Sequence, residues 1–144
     1  MALKHEVTIP VKAAGISELK RLKSALHGYL VQPKDKEYET ARKVWNGMID
    51  RRPSFIIRCA DEADVVQAIR FAREHNLLAA VRGVGHNVAG FGTCDGGVVI
   101  DLSLMKGIEV NAASRTATAQ PGLTWGEFDR ATQAFGLATT GGLV

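Results

Sequence analysis

Six of the 15 glycines in this chain of 144 residues stand between Gly83 and Gly97, at positions 83, 85, 90, 92, 96 and 97. No helix survives that spacing, because each interior glycine costs about 1 kcal/mol against alanine. A strand is equally weakened. The segment must be a loop. It leaves the short β-rich run Leu78–Arg82 and leads into Val98-Val99-Ile100-Asp101. Glycine lets the backbone take positive φ and approach a ligand closely. Successive N–H groups in such a turn form a nest for phosphate oxygens. Parallel strands gather their ligands at their carboxyl ends, which is where this loop starts. The residues therefore point to a phosphate-bearing cofactor.

The flanking pattern predicts what frames the loop. Ser17 is read as capping a helix with Leu19, Leu22 and Leu26 on one face, ended by Gly28. Leu30–Lys36, with Pro33, reads as a loop, and Tyr38, Ala41, Val44, Trp45 and Met48 as a short helix. Phe55–Cys59 is a strand. Asp61 opens a helix with acids in its first turn, Arg70 and Arg73 in its last, His75 at its end and a buried stripe of Val65, Ile69 and Ala72. Strand, helix and strand make a βαβ unit with its first two strands parallel. Gly107–Val110 and Thr116–Gln120 read as a hairpin. Thr124-Trp125-Gly126-Glu127 is a capping box for a helix with Phe128, Ala131 and Phe135 on one face, ended by Gly136. The expected class is α+β, a small parallel βαβ subdomain followed by the start of a mainly antiparallel β subdomain with helices. Residues 1–36 are taken as an N-terminal helical or irregular extension and 37–144 as the domain. The chain ends in the Gly-rich run Thr139-Thr140-Gly141-Gly142 directly after a helix, so it is expected to be the N-terminal part of a longer protein.

Several classes fall away. Gly83-Val84-Gly85 begins like a dinucleotide fingerprint, but its last glycine position is Val88 and no helix follows to meet a pyrophosphate. There is no Gly-Lys-Ser/Thr ending for a P-loop. A net charge of +3 without a basic, aromatic-interleaved run argues against a nucleic-acid partner. Cys59 and Cys94 lack the paired spacing of a zinc site and are read as reduced, with Cys59 in the core. No window approaches the ~18 apolar residues of a membrane helix, and no apolar run follows Met1, so a membrane is not expected and a cytoplasmic location is.

His86 stands among small neighbours in the Gly-rich loop, so its imidazole is accessible. The string Arg82-Gly83-Val84-Gly85-His86-Asn87, then Asp95-Gly96-Gly97, Val98-Val99-Ile100 and Asp101-Leu102-Ser103, is specific. With Trp45-Asn46 and Arg52-Pro53 upstream, and Met105, Ile108, Pro121-Gly122 and Trp125 downstream, it resembles the FAD-binding (PCMH-type) domain of the p-cresol methylhydroxylase/vanillyl-alcohol oxidase superfamily. Within it, the chain is most similar to the berberine-bridge-enzyme-like oxidases.

That resemblance implies FAD, held at Arg82, Gly83, Val84, Gly85, His86, Asn87 and Gly90, with a second loop, Thr140, Gly141 and Gly142, against the flavin. It implies a covalent link from His86 to the flavin 8α-methyl carbon. It also implies a flavin-dependent oxidoreductase taking hydride from an alcohol, amine or similar C–H donor and passing electrons to dioxygen. The alternative is a non-catalytic flavin-binding module or inactive fragment. No catalytic base and no metal ligand is assigned. Two departures stand out. Val84 replaces a family glycine, and the cysteine that doubly linked relatives use aligns with Val144, so one link is expected. Three positions keep two readings from the residues themselves: Arg82 to phosphate or to a carboxylate, Asp101 as strand end or ribose contact, Trp125 as packing or cofactor contact. His5, His27 and His75 are read as surface or helix-end residues.

Overall fold

The computed structural model describes residues 15–142. Its elements are α1 (Ile16–Ala25), β1 (Tyr29–Val31), α2 (Tyr38–Ala41), β2 (Phe55–Arg58), α3 (Glu62–Glu74), β3 (Ala79–Arg82), β4 (Val98–Asp101), β5 (Ile108–Asn111), β6 (Thr116–Ala119) and α4 (Trp125–Gln133). The first four strands form one sheet in the order β1-β2-β4-β3, and β5 and β6 form a separate antiparallel pair. β4 runs parallel to both β2 and β3, while β1 is an antiparallel edge. The α+β class and the βαβ unit are as the sequence predicts. β2 and β3 share a direction, but β4 lies between them.

Alternation along the central strands gives the sheet two apolar faces. Phe55, Ile57, Val98 and Ile100 point to one side, where Leu22 of α1 and Ala68, Phe71 and Ala72 of α3 cover them. Ile56, Val99 and Ala80 point to the other, against Val31, Tyr38, Ala41 and Cys94. Burial on both faces explains why β2 and β4 read as unbroken apolar runs. Parallel neighbours need a crossover connection, usually a helix. Between β3 and β4 the Gly-rich loop makes that crossing, and Cys94 from its far end helps to cover the second face.

α3 starts where Asp61 accepts a hydrogen bond from the Asp64 N–H at 3.1 Å. The buried Asp64 carboxylate accepts from the N–H groups of His27, Gly28 and Ala60, each at 2.8 Å, and so ties the α1–β1 turn to the end of β2. His27 Nδ1 meets Asp61 at 2.5 Å. This hydrogen bond raises the His27 pKa and lowers that of Asp61. His27, Asp61 and Asp64 are thereby accounted for as a helix cap.

Several expectations are corrected. α1 is capped by Gly15, with Ser17 inside its first turn. The loop expected from Leu30 starts as β1, because Leu30 and Val31 are buried against β2. The helix expected over 38–48 is a single turn, after which Trp45 and Met48 are 57% and 90% exposed. In α3, Ile69 faces solvent, and Ala68 and Phe71 complete the stripe instead. His75 is the C-cap residue as expected, yet it is buried against Phe71 with ring centroids 4.4 Å apart. Phe135 lies beyond the end of α4 and is exposed, and Thr132 is that helix's buried residue. The hairpin and the Thr124–Glu127 capping box form as predicted. His5 and Val144 lie outside the described residues.

Candidate flavin site

The site begins with a fixed floor. Arg82, the last residue of β3, is buried. Its guanidinium donates to Asp101 at 2.7 Å, to the Ala41 carbonyl at 2.6 Å and to the Lys43 carbonyl at 3.2 Å. Asp101 also accepts from the Ser103 N–H at 2.9 Å and lies 3.6 Å from the Arg58 guanidinium. Of the two readings of Arg82, the structure has the carboxylate one. Its donors hold β3, β4 and the α2 exit together beneath the loop. Asp101 is likewise a strand-end residue.

Above this floor the chain turns at Gly83. A Cβ there would lie 2.5 Å from the Pro121 carbonyl oxygen, so only glycine allows the loop to press on the β6–α4 turn. Gly85 has φ of +83° and Gly90 of +77°, values that L side chains rarely adopt. Val84 has no positive φ, so the valine that replaces the family's glycine is unstrained. Among the described residues, the N–H groups of Gly83, Val84, Gly85, His86 and Asn87 have no acceptor. Further along, the Asn87 side chain accepts from the Phe91 N–H at 3.0 Å and its carbonyl from the Gly90 N–H at 3.0 Å. One part of the loop is thus closed on itself, while the part beside His86 presents free donors.

Two clefts meet at Val84 and His86. One, of about 310 Å³, is lined by residues 81–87 with Phe91 and Gly92. The other, of about 270 Å³, lies between the loop and the β6–α4 turn and includes Pro121, Leu123, Trp125 and Phe128. His86 is half-buried on the rim common to both. The indole of Trp125 packs edge-on to Phe128 with centroids 5.6 Å apart. Gly141 is pressed to that indole so closely that a Cβ would lie 2.5 Å from Cζ2. The second Gly-rich run therefore reaches the wall of the cleft that holds His86, through Gly141. Thr140 and Gly142 are exposed beside it.

Cys94 is buried under the loop with Sγ 3.6 Å from the Val98 carbonyl oxygen, and burial raises its pKa. Cys59 is deeper, and burial pushes its thiol up to about 12. Neither thiol reaches the clefts. Sequence reasoning named Trp45 as a helix residue and a point of family likeness, and kept two readings of Trp125. Both indoles prove to border the site. Their scarcity was the available signal, since the chain has two tryptophans.

A glycine-rich loop with free N–H donors at the carboxyl end of a parallel strand, a half-buried histidine on its rim and a second glycine run against an aromatic wall suit a domain that binds a phosphate-bearing cofactor. Residues 53–142 match the family described as an FAD binding domain, and the chain belongs to that family. It is 34% identical over 119 residues to (R)-6-hydroxynicotine oxidase of Paenarthrobacter nicotinovorans, covering 83% of this chain and 26% of that one. It is 35% identical over 121 residues to an FAD-linked oxidoreductase of Dictyostelium discoideum, covering 83% and 26%. Among solved structures, 6-hydroxy-D-nicotine oxidase from Arthrobacter nicotinovorans superposes with a TM-score of 0.74 at 34% identity, over 77% of this chain and 24% of that one. A variant of BBE-like 1 from Physcomitrella patens gives 0.73 at 27% identity, over 81% and 26%. The chain spans about a quarter of the length of the curated relatives it matches. FAD is the cofactor of this family. No helix among the described residues is long and apolar enough to cross a membrane.

Proposed function

We propose that this chain forms the FAD cradle of an oxidoreductase that takes hydride from an alcohol, amine or similar C–H donor and passes the electrons to dioxygen, with FAD joined to His86. The observation that carries the reading is the run of free N–H groups from Gly83 to Asn87 with His86 on its open rim. Gly83, Val84, Gly85, His86 and Asn87 would hold the pyrophosphate by their N–H groups, and Gly90 turns the loop around it. Arg82 serves from behind, by keeping the loop's root in place. Thr140, Gly141 and Gly142 would close on the flavin beside Trp125. When bound, the cofactor supplies hydride acceptance and electron transfer, while the protein supplies position and electrostatics. His86 would hold the cofactor through a C–N bond formed in place of one C–H bond of the 8α-methyl group and one imidazole N–H bond. The bound flavin, with dioxygen as final acceptor, would supply the oxidising capacity for the two electrons and two protons released. The relatives named as nicotine oxidases support both an amine-type donor and oxygen as acceptor.

A second reading, a flavin-holding module without turnover of its own, is favoured by one feature. Among the described residues, the two clefts at His86 are lined by no carboxylate and no lysine. No residue here is assigned as catalytic base.

The test is acid precipitation of the chain after expression with FAD. A yellow, fluorescent pellet from the wild type and a colourless one from His86→Ala support the link. Acid-stable flavin persisting in His86→Ala overturns it. If the wild type leaves all its flavin in the supernatant, the cradle stands and the link is lost. If it takes up no flavin at all, these residues do not suffice to hold the cofactor.

A further inference from the structure

We propose that Trp45 is a positioning residue for His86, and that the strip from Trp45 to Arg51 braces the loop that carries it. The proposal rests on the reading that His86 bears the flavin.

Core packing does not account for Trp45. The chain leaves the buried one-turn helix at Ala41, and four residues later the indole is 57% exposed. It belongs to neither apolar cluster of the sheet. Its backbone N–H donates to the Gly85 carbonyl at 3.1 Å, which ties it to the residue immediately before His86. Its ring lies 6.5 Å from the His86 imidazole, centroid to centroid, with the planes tilted by 57°. That spacing falls within the range over which aromatic rings attract one another. Among the described residues no hydrogen bond holds the His86 ring, so the indole is what orients it.

The next residues extend the brace. Asn46 Nδ2 donates to the Val88 carbonyl at 2.9 Å. Ile49 lies where a Cβ on Gly90 would go. Arg51 Nη1 donates to the carbonyls of Gly90 at 3.3 Å and Thr93 at 2.9 Å. The strip is itself anchored by Arg42, which pairs with Asp50 and with Glu39 and donates to the Arg51 carbonyl at 3.2 Å. The loop is thus held at 85, 88, 90 and 93 by one short segment. A nucleophile held in one orientation reacts far faster than one free to rotate.

The readout is the rate at which bound flavin becomes acid-stable, measured beside non-covalent FAD affinity. Trp45→Ala is expected to slow linkage by about tenfold or more while changing affinity less than about threefold, and Trp45→Phe to stay within about threefold of wild type in both. In the cofactor-free chain, diethyl pyrocarbonate modification of His86, mapped by mass spectrometry with His27 as internal reference, is expected to quicken in Trp45→Ala and not in Trp45→Phe. Unchanged linkage and unchanged His86 reactivity in Trp45→Ala would overturn the proposal. So would affinity and linkage falling in parallel, which would make Trp45 part of the binding wall. If no variant takes up flavin, the His86 reactivity alone decides. Failure of the underlying reading is separately visible, as acid-stable flavin in His86→Ala.

Discussion

The four-stranded sheet and the β5–β6 hairpin are both built from strands of three or four residues, yet they differ in what they bury. All four residues of β4 and three of the four in β2 are buried, whereas β5 alternates half-buried with exposed and β6 is almost wholly exposed. Helices on one side and the α2–loop layer on the other close both faces of the sheet. The hairpin packs against α4 through β5, and Thr132 is the buried residue of α4. An isolated two-stranded hairpin is marginal in water. The candidate site lies along the seam between the two regions, where Gly83 meets the Pro121 carbonyl. Its floor is therefore the more deeply buried part and its far wall the more exposed one. This would suit the proposed cradle, with the nucleotide held through the backbone and the flavin end shaped by what packs around Trp125.

The contrast can be broken most forcefully at its base. Arg82→Ala leaves the buried Asp101 carboxylate without its closest partner and is expected to cost about 3–5 kcal/mol, read from urea unfolding followed by circular dichroism. A loss under ~1 kcal/mol would show that the floor is not held this way. Ile100→Ala in β4 is expected to cost about 2–5 kcal/mol. The matching change in the hairpin, Val110→Ala, should cost no more than about 1 kcal/mol. Equal costs would erase the distinction between the regions. At the seam, Gly83→Ala forces the loop and the Pro121 turn apart, with an expected loss of about 1–3 kcal/mol. FAD affinity should fall further than this destabilisation alone would produce, as titration of flavin fluorescence would report.

The smallest effect concerns α4. Glu127 is lowered to about 2, first by its hydrogen bond to Lys106 and then by the Thr124 cap. A depressed carboxylate stabilises fully above its unfolded value near 4.5 and loses that contribution as pH falls through about 2. The melting temperature of Glu127→Gln should therefore lie slightly below wild type at pH 6 and converge with it near pH 2. A gap that widens on acidification would contradict the assignment.

Much of this architecture can be read from local pattern. The capping box at Thr124, the cap at Asp61, the hairpin around residues 112–115 and the apolar runs of β2 and β4 all announce themselves, because each depends on neighbours a few residues away. β1 was hidden, since Tyr29–Val31 is too short to show a period and is a strand only by pairing with β2. The stripe of α3 was misjudged at Ile69, because hydrophobicity cannot say which face the sheet leaves uncovered.

The same division runs through the site. The sequence alone determined that residues 83–97 form a loop at a strand's carboxyl end, that its glycines suit a phosphate-bearing cofactor and that His86 stands in it among small neighbours. These are properties of backbone freedom and residue chemistry, which travel with the chain. Tertiary structure decided that Arg82 pairs with Asp101, that Val84 takes no positive φ, that Trp45 comes back beside His86 and that Gly141 meets Trp125. Those facts depend on which distant segments share a surface. Strand order and the burial of both sheet faces set that, and no local pattern encodes it.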